Sequence, residues 1–308
     1  MMVLLAGLVL SGCASRRAPG VFDGHTGKGM SWNAFYASLE QADVVLLGEE
    51  HNDADGHALQ TRIVEHFASR EGSRLAVSLE MLERPDQPHV DAWLRDEITT
   101  DAMIEATQST AWQNWSAWYQ PVLDAAHRHN ATIIAANAPR ELVRLARTDG
   151  YDALAQRSAE EQQWFALPSG VATDSGYQER FHALMAESMQ PEPAPGASAS
   201  AANNPHAHGM SPDMIDGMFR AQLVWDATMA DSIARALAEP GISRVIHLVG
   251  HFHSDFDGGT VLELRANPRV TQALRIVTVC MLGREGDALD PEDVGRADIV
   301  IYSDSAGP

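Results

Sequence analysis

Two short stretches of this chain hold the residues best suited to chemistry. Gly48-Glu49-Glu50-His51-Asn52 and Gly250-His251-Phe252-His253 each close an apolar run, and each contains a Gly-x-x-His spacing. Asp255 and Asp257 follow the second turn. Glu80 ends another apolar run, and Asn137 ends a further one. His57 and Gln60 lie three residues apart, which puts them on one helical face. Imidazoles beside carboxylates suit a divalent transition metal, or acid and base work on a polar substrate. One histidine after a strand is ordinarily a turn residue. Two such turns with carboxylates beside them ask for more.

Other groupings are less pointed. Met210, Met214 and Met218 recur every four residues, which serves packing or a soft axial ligand to iron. Trp112, Trp115, Trp118 and Tyr119 form an aromatic cluster that packs a core or faces a flat apolar ligand. His206-Ala207-His208 reads as solvated linker. Cys280, inside the apolar run RIVTVCML, reads as a buried small hydrophobe.

The elements that must position these residues follow from periodicity. Compact apolar runs at 43–48, 75–79, 131–136, 243–249, 274–281 and 297–302 read as buried strands. Helical spacing fills 31–41, 54–70, 86–107, 118–129, 140–189, 211–238 and 260–265. Alternating strands and helices predict an α/β fold: a mostly parallel sheet with helices on both faces. The helices between the third and fourth of these strands exceed one crossover. They predict a helical cap at about 140–240, inserted between strands three and four. Residues 190–209 (QPEPAPGASASAANNPHAHG) have nothing to bury and read as a disordered insert. In open parallel sheets ligands bind at the carboxyl ends of the strands. Glu49, Glu50, His51, Glu80, Asn137, His251 and His253 should therefore converge on one rim.

Composition bounds the rest. The 308 residues are 45% hydrophobic and 21% charged, enough for one large domain with a sizeable core. With 42 acidic and 22 basic residues the net charge is −20, which argues against nucleic acid as a partner. The charge also repels anionic head groups, so membrane attachment needs an anchor. Residues 1–12 (MMVLLAGLVLSG) have the length of a signal-peptide apolar core and are too short to span a bilayer. Leu10-Ser11-Gly12-Cys13 resembles a bacterial lipobox, with Cys13 the acylated residue. Ala14 rather than aspartate follows it, which in Gram-negative lipoproteins points to the outer membrane, on its periplasmic side. Residues 13–30 then read as a lipid-anchored tether and 31–308 as a single domain.

The stretches LLGEEHNDADGHALQ, SLEMLERPDQPHVDAWL, WSAWYQPVLDAAHRHNATIIAANAPREL, FRAQLVWDATMADSI and VIHLVGHFHSDFDGG, in that order and spacing, resemble the ChaN family of iron-regulated, haem-binding lipoproteins. That family lies within a wider group that includes the Tiki and TraB proteins and the erythromycin esterases. The resemblance spans roughly residues 40–285. It implies an α/β fold with a helical cap, haem in a pocket, a homodimer that stacks two haems, and an outer-membrane haem receptor as partner in haem and iron uptake. The family holds iron by a tyrosine supported by a histidine; Tyr119 best matches a family motif, with His51, His57, Gln60, Asn137 and His253 as further cofactor-binding candidates. The wider group implies an alternative, a metal-dependent hydrolase. There His51, His253 and Glu80 would hold Mn, Co or Zn, and Glu49 or Glu80 would serve a bound water.

Overall fold

Seven strands form one sheet in the order β1-β7-β6-β2-β5-β3-β4. In chain order the elements are β1 (Gly20–Asp23), α1 (Trp32–Leu39), β2 (Val44–Glu49), α2 (Ala54–Glu71), β3 (Leu75–Glu83), α3 (Gln87–Leu94), α4 (Thr100–Ala106), α5 (Trp115–Trp118), α6 (Gln120–Arg128), β4 (Thr132–Asn137), α7 (Arg140–Asp149), α8 (Tyr151–Ala155), α9 (Gly176–Ser188), α10 (Pro212–Ala238), β5 (Arg244–Gly250), α11 (Gly259–Ala266), β6 (Ile276–Leu282) and β7 (Ile299–Tyr302). This is a computed structural model, and it describes residues 20–173, 176–188 and 211–303. The signal peptide, Cys13, the insert 190–209, His206, His208 and Met210 lie outside the described residues.

The α/β fold is as the sequence implied. β2 pairs in parallel with β5 and β6, β3 with β4 and β5, and β6 with β7. Each central strand is buried on both faces, so its side chains divide by parity between two cores. Val45, Leu47, Val77, Leu79, Ile246 and Leu248 join the core under α1, α2 and α6. Val44, Leu46, Ala76 and Val245 meet Ala230, Ile233 and Ala234 of α10 on the other side. Leu47 is fully buried at the centre, so its truncation to alanine would cost about 2–5 kcal/mol. Among the described residues no helix is long and apolar enough to cross a membrane.

Three boundaries differ from the sequence reading. Residues 20–30 are not tether. β1 pairs antiparallel with β7, and Val21 and Phe22 are buried. The 86–107 helix divides into α3 and α4 because Asp96 adopts φ 57°, which ends one helix, and the Thr99 hydroxyl caps the next. The cap is smaller than 140–240. Its members are α7, α8, α9 and the first half of α10, while the second half of α10 lies flat on the sheet. Gly150, at φ 81°, supplies the break between α7 and α8.

Candidate functional site

The chain leaves β2 toward β3 on one side and β5 toward β6 on the other, so these neighbouring strands form the switch point where a crevice opens. Glu49 is the last residue of β2 and is buried. Its carboxylate accepts from Tyr119 Oη at 2.7 Å, from Gln60 Nε2 at 2.5 Å and from His51 Nδ1 at 2.9 Å. His57 donates from Nδ1 to Gln60 Oε1 at 3.0 Å and stacks on Trp118 at 4.7 Å. Glu49 thus fixes the His51 ring through one nitrogen. His51 Nε2 accepts no hydrogen bond among the described residues and lies beside Gly250, where a Cβ would approach it to 2.9 Å. The His51 side chain is 46% exposed. Burial would lower its pKa, but the hydrogen bond to Glu49 and the charges of Glu80 and Glu49 outweigh that and hold it above the ordinary value.

A second histidine is held the opposite way. β3 shifts register against β4 between Leu79 and Glu83, and Glu80 sits in that irregularity. Asn137 donates from Nδ2 to the Glu80 carbonyl at 3.0 Å and so braces the bend. Glu80 Oε2 accepts the Gly250 N–H at 2.6 Å, and Oε1 lies 3.7 Å from His253 Nε2. His253 Nδ1 donates to Asp226 Oδ1 at 2.6 Å. Thr260 and Tyr177 hydroxyls also donate to Asp226, at 3.0 and 2.9 Å. Burial opposes charge on His253, yet the two carboxylates prevail and push its pKa up to about 9. Neighbouring His247 shows what burial does without them: its pKa falls to about 3.

Glu49, His51, Glu80, Asn137 and His253 therefore gather at one rim, in two groups that meet at Gly250, whereas Glu50 accepts the Gly283 N–H at 3.1 Å and His251 pairs with Asp255 at 2.7 Å. Two of the candidates sit in strongly polar surroundings. Tyr119 is buried and its phenol donates to Glu49; desolvation, then the charge of Glu49, pushes its pKa up. His253 has both nitrogens aimed at carboxylates, which push its pKa up to about 9, so a metal there would have to displace its proton. His51, Glu80 and His253 are not gathered as a metal trio. Among the described residues, donor atoms within 4.8 Å of one another occur at His251, Asp255 and Cys280, where Arg296 already pairs Asp255 at 2.6 Å and burial pushes the thiol up. Of the methionine stripe, the described members are Met214, which is exposed, and Met218, which packs in the cap. Trp115 is buried core, Trp118 backs His57, and Trp112 lies 5.2 Å from the His51 ring.

Sequence reasoning missed Asp226, Tyr177, Gln222 and Thr260. Asp226 had a signal: a carboxylate inside the apolar stretch LVWDATMA of α10. Beside Glu80 a cleft of about 400 Å³ opens between Trp112 and Trp225, with Glu83, Asp86 and Arg140 at its wall.

An open parallel sheet with carboxylate-held histidines at its switch point defines a ligand-binding α/β domain of the doubly wound class. Residues 35–264 match the family described as haem-binding uptake, Tiki superfamily, ChaN, and the chain belongs to that family. It carries, accordingly, a ChaN-family haem-binding domain. The solved structure reported as cofacial haem binding to ChaN of Campylobacter jejuni is similar in fold, at TM-score 0.67 and 20% identity over 92% of this chain and 96% of that one. An erythromycin esterase, EreC, in its open conformation aligns at TM-score 0.44 and 11% identity over 92% of this chain and 82% of that one, too distant to carry an argument. No curated protein sequence matches the chain significantly.

Proposed function

We propose that this protein is an outer-membrane haem-binding lipoprotein, anchored through Cys13 on the periplasmic side, that serves haem and iron uptake. The single observation that carries the site is the Glu49–His51 hydrogen bond, with His51 Nε2 left without one and half the ring exposed. An imidazole that donates its other N–H to a carboxylate is oriented and made more basic, which is how iron-binding histidines are supported. The donor chemistry of His51 fits haem iron; the neutral, buried phenol of Tyr119 does not. His51 would hold the iron, Trp112 would lie against the porphyrin, and the iron would supply the affinity that makes transport of haem selective. Glu49 keeps the ring in one tautomer, and Gln60 and Tyr119 hold Glu49. Exchange with an outer-membrane receptor and pairing of two copies across their haems belong to the same proposal.

Titration of the purified protein with hemin tests it. Wild type should give a saturable ferric Soret shift, His51→Ala should abolish or displace it, and Tyr119→Phe should retain it. A loss in Tyr119→Phe with none in His51→Ala would move the iron to Tyr119. Wild type binding hemin no better than an unrelated acidic protein would overturn the haem reading. Labelling with a palmitate analogue, followed by membrane fractionation, tests the anchor: unlabelled, soluble wild type would remove it.

A further inference from the structure

The ends of β2 and β3 set the open histidine among negative charges that no arginine or lysine balances. Glu49 accepts from Tyr119, Gln60 and His51, and His57 Nδ1 stands 3.7 Å from its Oε2. No lysine or arginine pairs with Glu49 among the described residues. Its side chain is 1% exposed, so water screens the charge little. Glu80 is the second charge. A methyl group built on Gly250 would lie 2.9 Å from His51 Nε2 and 3.5 Å from Glu80 Oε2, so the two atoms are neighbours across that glycine. His253, even fully charged, offsets only one of its two carboxylate partners, Glu80 and Asp226.

We propose that Glu49, acting through His51, and Glu80, acting through space, make this site selective for ferric over ferrous haem; the inference rests on the haem reading above. The ferric iron–porphyrin core brings one positive charge and the ferrous core none. Glu49 accepts the hydrogen bond from His51 Nδ1 and so strengthens donation from Nε2, which favours the more highly charged iron. Glu80 favours the same charge by attraction across Gly250. Burial works the other way, because it takes a charge out of water. The rim itself shows which effect wins. His247, buried with no carboxylate partner, has its pKa pushed down to about 3, chiefly by desolvation, whereas the two carboxylates beside His253 push its pKa up to about 9. His51 has carboxylate neighbours too, and its side chain is half exposed, so burial costs a positive charge less there. Glu49 is thus a positioning residue that also sets which oxidation state His51 prefers.

Potentiometric titration of the hemin-loaded full chain under argon reads this selectivity. Glu49→Gln, which keeps the side-chain shape, should raise the midpoint potential by at least about 59 mV, the one-electron equivalent of a tenfold shift from ferric toward ferrous. Glu80→Gln should move it in the same direction. Transfer of haem from wild type to excess apomyoglobin, timed with and without dithionite, should run at least about tenfold faster for the ferrous form. An unchanged or lowered potential in Glu49→Gln, with Soret binding intact, overturns this inference and leaves the haem reading standing. Wild type that takes up no hemin removes both. Where Glu49→Gln does not fold or does not load, Glu80→Gln and the wild-type transfer rates decide: an unchanged potential in the one, or equal rates in the other, overturns the inference.

Discussion

Replacing Asp226 by asparagine tests the electrostatic core of the rim. Asp226 is fully buried and accepts from His253, Thr260 and Tyr177. The asparagine oxygen can still accept from His253 and Thr260, and its amide can donate to the Tyr177 oxygen, so shape and most hydrogen bonds survive while the charge goes. His253 titrates at about 9 in the fold against an ordinary 6.5, so the folded state holds its proton more tightly than the unfolded chain does. At about 1.4 kcal/mol for each pH unit, that difference is worth about 3 kcal/mol of stability. A raised histidine contributes its full amount below pH 6.5, loses it progressively as pH rises toward 9, and contributes nothing above.

In Asp226→Asn burial drives His253 neutral and the contribution disappears. Urea unfolding of wild type and variant, run in parallel from pH 6 to pH 10, should therefore show a deficit of about 3 kcal/mol at pH 6 that shrinks to about 1 kcal/mol or less at pH 10. Other groups titrate in both proteins and cancel in the difference. NMR of the His253 ring protons should follow the same shift directly. A deficit that is flat with pH, or that grows as pH rises, would refute the assignment of a charged His253 between Asp226 and Glu80.

Tyr119→Phe removes one of the three donors to the buried Glu49 carboxylate, and chemical denaturation should find it about 1–3 kcal/mol less stable than wild type with its fold intact. Gly250→Ala sets a methyl group within 2.9 Å of His51 Nε2, so it should displace the His51 ring, lower hemin affinity and cost about 1–3 kcal/mol, measured by Soret titration and melting. Cys280 is 1% exposed and burial pushes its thiol up, so in a Cys13→Ser background it should react with Ellman's reagent only in denaturant; rapid reaction of the native protein would contradict the burial.

The parallel sheet was legible because its strands are buried on both faces and read as unbroken apolar runs, such as Val44-Val45-Leu46-Leu47. β1 was not. Its four residues Gly20-Val21-Phe22-Asp23 lack any local period, and only pairing with β7, almost three hundred residues later, makes them a strand. The split between α3 and α4 was hidden for a related reason. Asp96 in a left-handed conformation is decided by how the chain must turn, not by an evident break such as proline. At the rim, His51, Glu80 and His253 were legible because they follow apolar runs that had to be parallel. Asp226 was obscured because its helix position is remote in sequence from every strand end.

That remote residue explains why two similar turns do different work. Both place a histidine three residues after a glycine, and both give its Nδ1 a buried carboxylate, Glu49 for His51 and Asp226 for His253. The difference lies at Nε2. His253 Nε2 faces a second carboxylate in a side chain only 9% exposed, so its charge is locked inside the protein. His51 Nε2 has no carboxylate within ion-pair distance among the described residues, and its side chain is 46% exposed. A carboxylate on one nitrogen alone makes an imidazole a better donor to iron, whereas carboxylates on both make it an ion-pair partner. The repeated turn therefore leaves one histidine half-exposed, as the proposed haem site requires, and uses the other to bind α10, β3 and β5 together.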